Sequence, residues 1–290
     1  MAVCLSCPRE CAVDRVADER GFCGAGAEYS VAFADLHLWE EPCISGKVGS
    51  GAIFFSGCNM LCIFCQNKKI SRTPIGAPYT EDMLIEKMLE LQARGAHNIN
   101  LVTPTPYALS LAKTLEKVKP LLNIPIVYNC GGYESLHALR ALDGLVDVYL
   151  PDFKYFSDEL AVSYSSAPNY REVASAAICE MLRQVGKVCL DEQGLVKRGV
   201  IVRHLVLPAC RADSFDLLSH LADLLPPDQI MLSIMNQYTP DFVEPSAPKN
   251  LRRRLTSFEY SSVLDLALQL GFDGFSQDRS SASASFTPDF

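Results

Sequence analysis

From residue 51 onward the chain repeats one pattern: a short apolar run, a polar or glycine-rich break, then an amphipathic stretch at helical spacing. Residues 51–56 (GAIFFS) suit a buried strand. Residues 80–94 set Met83, Leu84, Met88, Leu89 and Leu91 at helical spacing, between Thr80 as a cap and Gly95 as a stop. The unit recurs as strand 98–102 with helix 107–119, strand 125–129 with helix 135–142, and strand 146–150 with a longer helical region ending near 185. Strand 200–207 with helix 214–225 and strand 230–235 with helix 258–270 complete the set. Such a series predicts an α/β fold with a parallel sheet covered by helices, either doubly wound or an incomplete barrel. Functional side chains then belong on loops at the C-terminal strand ends.

The loop after the first of these strands carries Cys58, Cys62 and Cys65, a C-x3-C-x2-C triplet with Phe64 just before its last cysteine. A [4Fe-4S] cluster is normally held by four cysteines, so three local thiolates leave one iron open for a cofactor or substrate. An open coordination position is also what separates a catalytic zinc site from a structural one. The competing reading is a zinc site completed by Cys130 or His97, or three ordinary buried cysteines.

The twelve cysteines, in a chain expected to sit in a reducing compartment, read as ligands or thiols and not as disulfides. Four of them form a front group, Cys4, Cys7, Cys11 and Cys23, at metal-ligand spacing in a segment with little apolar periodicity. Such a segment folds around a metal better than around its own core, and zinc or a second iron-sulfur cluster both take four thiolates. The expected organisation is a cysteine-rich module over 1–45, a barrel over 46–275 and a flexible serine-rich tail over 276–290. Cys179, Cys189 and Cys210 read as small buried hydrophobes. The net charge of −8 argues against a nucleic-acid partner, and no signal-like start or membrane-length apolar run is visible, which predicts a soluble, cytoplasmic protein.

The triplet at its position after strand one resembles the radical S-adenosylmethionine (SAM) superfamily. The stretches Glu40–Gly46, Phe54–Cys58, Asn98–Thr105, Tyr149–Tyr155 and Arg198–His204, with the CPREC segment at the front, are similar to a branch named for pyruvate formate-lyase activating enzyme. The resemblance implies a partial (β/α)6 TIM-like barrel, a [4Fe-4S] cluster on Cys58, Cys62 and Cys65, and reductive cleavage of SAM to methionine and a 5′-deoxyadenosyl radical. It implies hydrogen abstraction from a glycyl-radical enzyme or another protein, with electrons from a donor such as flavodoxin or ferredoxin. Radical modification of a small metabolite is the alternative, and a non-catalytic electron-transfer protein a further one. The activating enzyme itself lacks the front segment.

Around the barrel mouth the expected cofactor contacts are Phe64, Thr103, Thr105, Asn129, Asp152, Lys154 and Arg203. Thr103-Pro104-Thr105 stands where many family members carry Gly-Gly-Glu. Asn129 precedes paired glycines that let backbone approach a ribose closely. Asp152 and Lys154, two apart on an extended segment, point to one side and can pair. Arg203, inside an apolar run, needs an anion if buried. His204 is expected on the opposite face as a satisfied core histidine, and Gln237 and Tyr238 as weak adenine contacts.

Overall fold

The computed structural model describes residues 4–73 and 75–278. In it the alternation after residue 50 becomes β2 (Ser50–Phe55), β4 (Ile99–Val102), β5 (Ile126–Cys130), β6 (Val148–Pro151), β8 (Val196–Leu205) and β9 (Met231–Met235), all parallel and in spatial order. Helices α3 (Glu81–Ala93), α4 (Ala108–Val118), α5 (Leu136–Ala141), α7 (Tyr170–Val185), α8 (Arg211–Leu224) and α9 (Ser257–Gln269) cover the outer face. This is a partial TIM-like barrel, the second of the two arrangements that the pattern allowed.

Local chemistry fixes these elements. Thr80, Ser135 and Thr256 each accept from a backbone N–H as N-caps, and Thr256 with Glu259 completes a capping box. On the strands, alternation sends Ile99, Leu101, Tyr128, Tyr149, Val200 and Val202 outward into the main core under the helices. Each such burial contributes roughly 1.5–3 kcal/mol. The inward residues divide into two layers. Val127, Val148, Leu150, Val196 and Ile201 close the lower barrel, and Asn129, Asp152, Arg203 and Ser233 stand above them as a polar layer.

Several expectations are corrected. The front 45 residues are not a separate module: β1 (Tyr29–His37) pairs antiparallel with β2 and also with β3 (Ala77–Tyr79), and Tyr29 and Val31 enter the main core. A short helix, α1 (Pro42–Ser45), then plugs the lower barrel with Cys43 and Ile44. Of the described front residues, 29–37 belong to the sheet, and 4–28 and 38–45 lie outside it. The long helical region ending at 185 is two helices, α6 (Asp158–Ser165) and α7, broken where Ser166 and Asn169 adopt positive φ. The strand at 196 begins earlier than expected because β7 (Cys189–Leu190) pairs with it, which leaves Cys189 exposed and not buried. Ser276 belongs to β10 (Gly274–Ser276), parallel to β9, and Gln277 Oε1 accepts from Asn236 N, so the barrel runs on past 275. The rest of the expected tail, 279–290, lies outside the described residues. One further helix, α2 (Lys68–Arg72), follows the cysteine loop.

Candidate active site

The cysteine triplet sits on an irregular loop between β2 and α2, held from both sides. Gly57 N–H donates to Ile70 O at 2.8 Å, and Leu61 and Ile63 N–H groups donate to Ser165 and Tyr164 carbonyls at the end of α6. The sulfurs receive donors as well: Met60 N–H reaches Cys58 Sγ at 3.3 Å and Ser165 Oγ–H reaches Cys62 Sγ at 2.9 Å. Burial, reinforced by the neighbouring Cys62 sulfur, pushes the Cys58 thiol well up and Cys65 up to about 11. Three crowded thiols with sulfur-directed donors form a thiolate set that a cation stabilises.

All three cysteines line one cavity of about 580 Å³ at the C-terminal ends of the strands. Facing them is an ionic group from three strands. Asp152 ion-pairs with Lys154, two residues on, and accepts from Arg203 Nε at 2.9 Å; Arg203 Nη2 donates to Asn129 Oδ1 at 2.5 Å. Register explains the meeting, since Asp152 and Arg203 stand opposite each other where β6 and β8 separate. Burial pushes the Asp152 carboxyl up, but Arg203 and Lys154 outweigh it and hold it below the usual carboxylate range. Lys154 is raised by Asp152 against the opposing effect of burial.

The residues expected at the mouth are all at this cavity, with differences of detail. Phe64 is buried, its ring 6.1 Å from that of Tyr238 in an edge-on contact. Thr103 has φ +57, a left-handed conformation that a β-branched residue rarely adopts, and strain of this kind gathers at functional sites. The Thr105 hydroxyl donates to Glu134 Oε1 at 2.7 Å, so its proton is directed at a neighbouring carboxyl. His204 is buried on the helix side with Nδ1 at Phe153 O and Nε2 at Ser214 Oγ. Gln237 and Tyr238 also line the cavity.

Three acidic residues carry weight here without having been assigned a role from the sequence. Glu40 lies 3.5 Å from Arg203 Nη1 and within 3.4 Å of Asn129 Nδ2; burial pushes it up to about 7, against the pull of Arg203. Glu41 lines the cavity, and its Oε2, like Ser233 Oγ, is buried with no hydrogen-bond partner among the described residues. Glu134 is buried behind Thr105 and takes a second bond from Tyr128 Oη at 3.1 Å; burial raises it to about 7. The signal for Glu40 and Glu41 was an acidic pair directly before Pro42.

The family model for the radical SAM superfamily matches residues 52–195. This chain belongs to the radical SAM superfamily. An uncharacterized protein of Methanocaldococcus jannaschii is 34% identical over 284 residues, covering 93% of this chain and 75% of that protein. Among solved structures, spore photoproduct lyase with a dinucleoside spore photoproduct aligns with a TM-score of 0.52 at 12% identity, over 77% of this chain and 74% of the lyase. Methylornithine synthase (PylB) aligns at 0.50 with 16% identity, over 76% and 68%. Streptococcus suis SuiB bound to its precursor peptide SuiA aligns at 0.51 with 11% identity, over 76% of this chain, which spans 46% of SuiB. These likenesses establish the shared barrel.

Superfamily membership implies a [4Fe-4S] cluster and SAM, and the residues fit both. Three thiols aimed into one cavity match a cluster with an open iron. Opposite them, paired cations and anions and two unpartnered polar side chains match a zwitterionic ligand. Membership assigns SAM-dependent radical chemistry to this site. Among the described residues no helix is long and apolar enough to cross a membrane.

Proposed function

We propose that this radical SAM enzyme reductively cleaves SAM and directs the resulting radical at a protein or peptide, a glycyl-radical enzyme being the leading candidate, with electrons from a flavodoxin- or ferredoxin-type donor in the cytoplasm. The same proposal includes a metal centre, zinc or iron-sulfur, at the front thiols. The bound cluster supplies the electron that breaks the sulfonium bond. Within this reading Arg203 and Lys154 face the SAM carboxylate, and Asp152 fixes both cations and blocks their rotation. Phe64, Thr103, Thr105 and Asn129 border the rest of the molecule, and the apolar walls exclude water.

What supports a polypeptide acceptor is the position of residues 4–28. They pack on the loops at Gly57–Asn59 and Pro106, and none of them lines the cavity, whose lining begins at His37. The approach past Leu38 and Trp39, 52% and 59% exposed, therefore stays open and presents large apolar side chains. Loaded, reduced enzyme with SAM should form more 5′-deoxyadenosine when given the macromolecular fraction of a cell extract, and protease treatment of that fraction should remove the gain. Stimulation by the small-molecule filtrate alone would overturn the polypeptide reading in favour of a metabolite.

A further inference from the structure

A chain of two hydrogen bonds leads from the loop after β6 to one sulfur of the triplet. Tyr155 Oη lies 2.7 Å from Ser165 Oγ, and Ser165 Oγ lies 2.9 Å from Cys62 Sγ. Tyr155 is 1% exposed and Ser165 fully buried, so water does not compete for either hydroxyl. Neither residue lines the cavity, and both reach the cysteine loop from outside it.

The direction of this chain follows from the sulfur. A cysteine that ligates iron is a thiolate, which has no proton to give and can only accept. The Ser165 hydroxyl, with one proton, then donates to Cys62 Sγ, and its oxygen is left to accept from Tyr155. In a low-dielectric interior each such bond polarises the next, so the Tyr155 donor makes Ser165 a stronger donor to the sulfur.

Both residues are held by contacts that do not depend on their hydroxyls. Ser165 ends α6, where its carbonyl accepts from Leu61 N–H at 3.2 Å and the Tyr164 carbonyl from Ile63 N–H at 2.9 Å. The Tyr155 ring stands edge-on to Tyr164 and Tyr170, with centroids 6.4 and 5.6 Å away. Tyr170 Oη in turn accepts from Lys154 N–H at 3.0 Å. Because Tyr155 directly follows Lys154, which is ion-paired with Asp152, one short segment serves both the ionic group in the cavity and the loop of the triplet.

We infer that Tyr155 is a positioning residue for the cluster: its hydroxyl fixes the Ser165 proton on Cys62 Sγ and thereby raises the potential at which the cluster takes up its electron. Hydrogen bonds to the sulfurs favour the more negative, reduced state. The inference rests on the reading of Cys58, Cys62 and Cys65 as cluster ligands and adds to it a residue that touches neither cluster nor cavity.

The test is a redox titration of the full chain, anaerobically reconstituted with iron and sulfide, as wild type, Tyr155→Phe, Ser165→Ala and the double variant. The reduced-cluster resonance followed is the one that Cys62→Ala lacks, which sets aside any signal from Cys4, Cys7, Cys11 and Cys23, none of which lines the cavity. Tyr155→Phe keeps the ring and should lower the midpoint potential, by less than Ser165→Ala does. It should also weaken the coupling of an exchangeable proton to the reduced cluster that Ser165→Ala abolishes. The double variant, which leaves no buried hydroxyl of the chain without its partner, should match Ser165→Ala in both readouts. A Tyr155→Phe protein indistinguishable from wild type in both, or one whose potential falls equally with and without the Ser165 hydroxyl, would overturn the relay while the cluster stands. A wild type with no resonance that Cys62→Ala lacks would instead overturn the cluster reading, and the relay with it.

Discussion

Glu134 offers a prediction whose size follows from the structure. Its carboxyl is buried behind the Thr105 loop, and burial raises it to about 7 from its ordinary 4.5, although Thr105 and Tyr128 both donate to it. Between pH 4.5 and 7 the folded protein keeps this proton while the unfolded chain releases it. The stabilisation is therefore fully present below 4.5 and is lost as pH rises through 7. At about 1.36 kcal/mol per pH unit the loss comes to about 3 kcal/mol. Glu134→Gln keeps the shape and has no proton to lose, and the two hydroxyls can turn to accept from its amide. The variant should match wild type near pH 4.5 and exceed it above pH 7, by roughly 5–10 °C in anaerobic thermal unfolding. Taking the difference between the two proteins cancels whatever bound metal contributes. A gap that stays flat from pH 5 to 8 would show that Glu134 is ionised throughout that range in the folded protein and would refute the raised carboxyl.

Asp152→Asn should leave Arg203 and Lys154 facing each other with Glu40 as the nearest carboxylate. The broken buried pair costs about 3 kcal/mol in unfolding measurements, and a SAM titration should show weaker binding. An unchanged melting midpoint with unchanged SAM affinity would contradict the role given to Asp152. Ser165→Ala removes the hydroxyl donor at Cys62 Sγ, a bond that favours the more negative, reduced cluster. The midpoint potential should fall by the equivalent of about 1 kcal/mol, roughly 40 mV, and a potential unmoved in redox titration would show that the bond is absent in the loaded protein.

The strands and helices after residue 50 were legible because their periodicities differ and because Thr80, Ser135 and Thr256 mark helix starts in the sequence itself. The triplet was legible for the same reason, being one continuous loop. What stayed hidden is long-range. Glu40 meets Arg203 across 163 residues and Ser165 meets Cys62 across 103, and no spacing rule links such pairs. In the front strand β1 the alternation is interrupted by a register shift between Val31 and Phe33, which pack on opposite faces of the sheet, and its partners are antiparallel and lie beyond a cysteine-rich stretch, so the segment read as a module of its own. The break between α6 and α7, with positive φ at Ser166 and Asn169, brackets Pro168, a helix breaker that the sequence displays and the long helical reading passed over.

On the proposed function, Cys58, Cys62 and Cys65 form the reactive site of a SAM-cleaving enzyme. Its most direct test is anaerobic reconstitution with iron and sulfide, reduction with dithionite, and chromatographic assay of 5′-deoxyadenosine from SAM, with Cys62→Ala in parallel. The wild type should form 5′-deoxyadenosine and the variant none. A wild-type protein with its barrel cluster loaded and reduced that neither binds SAM nor forms 5′-deoxyadenosine would contradict it.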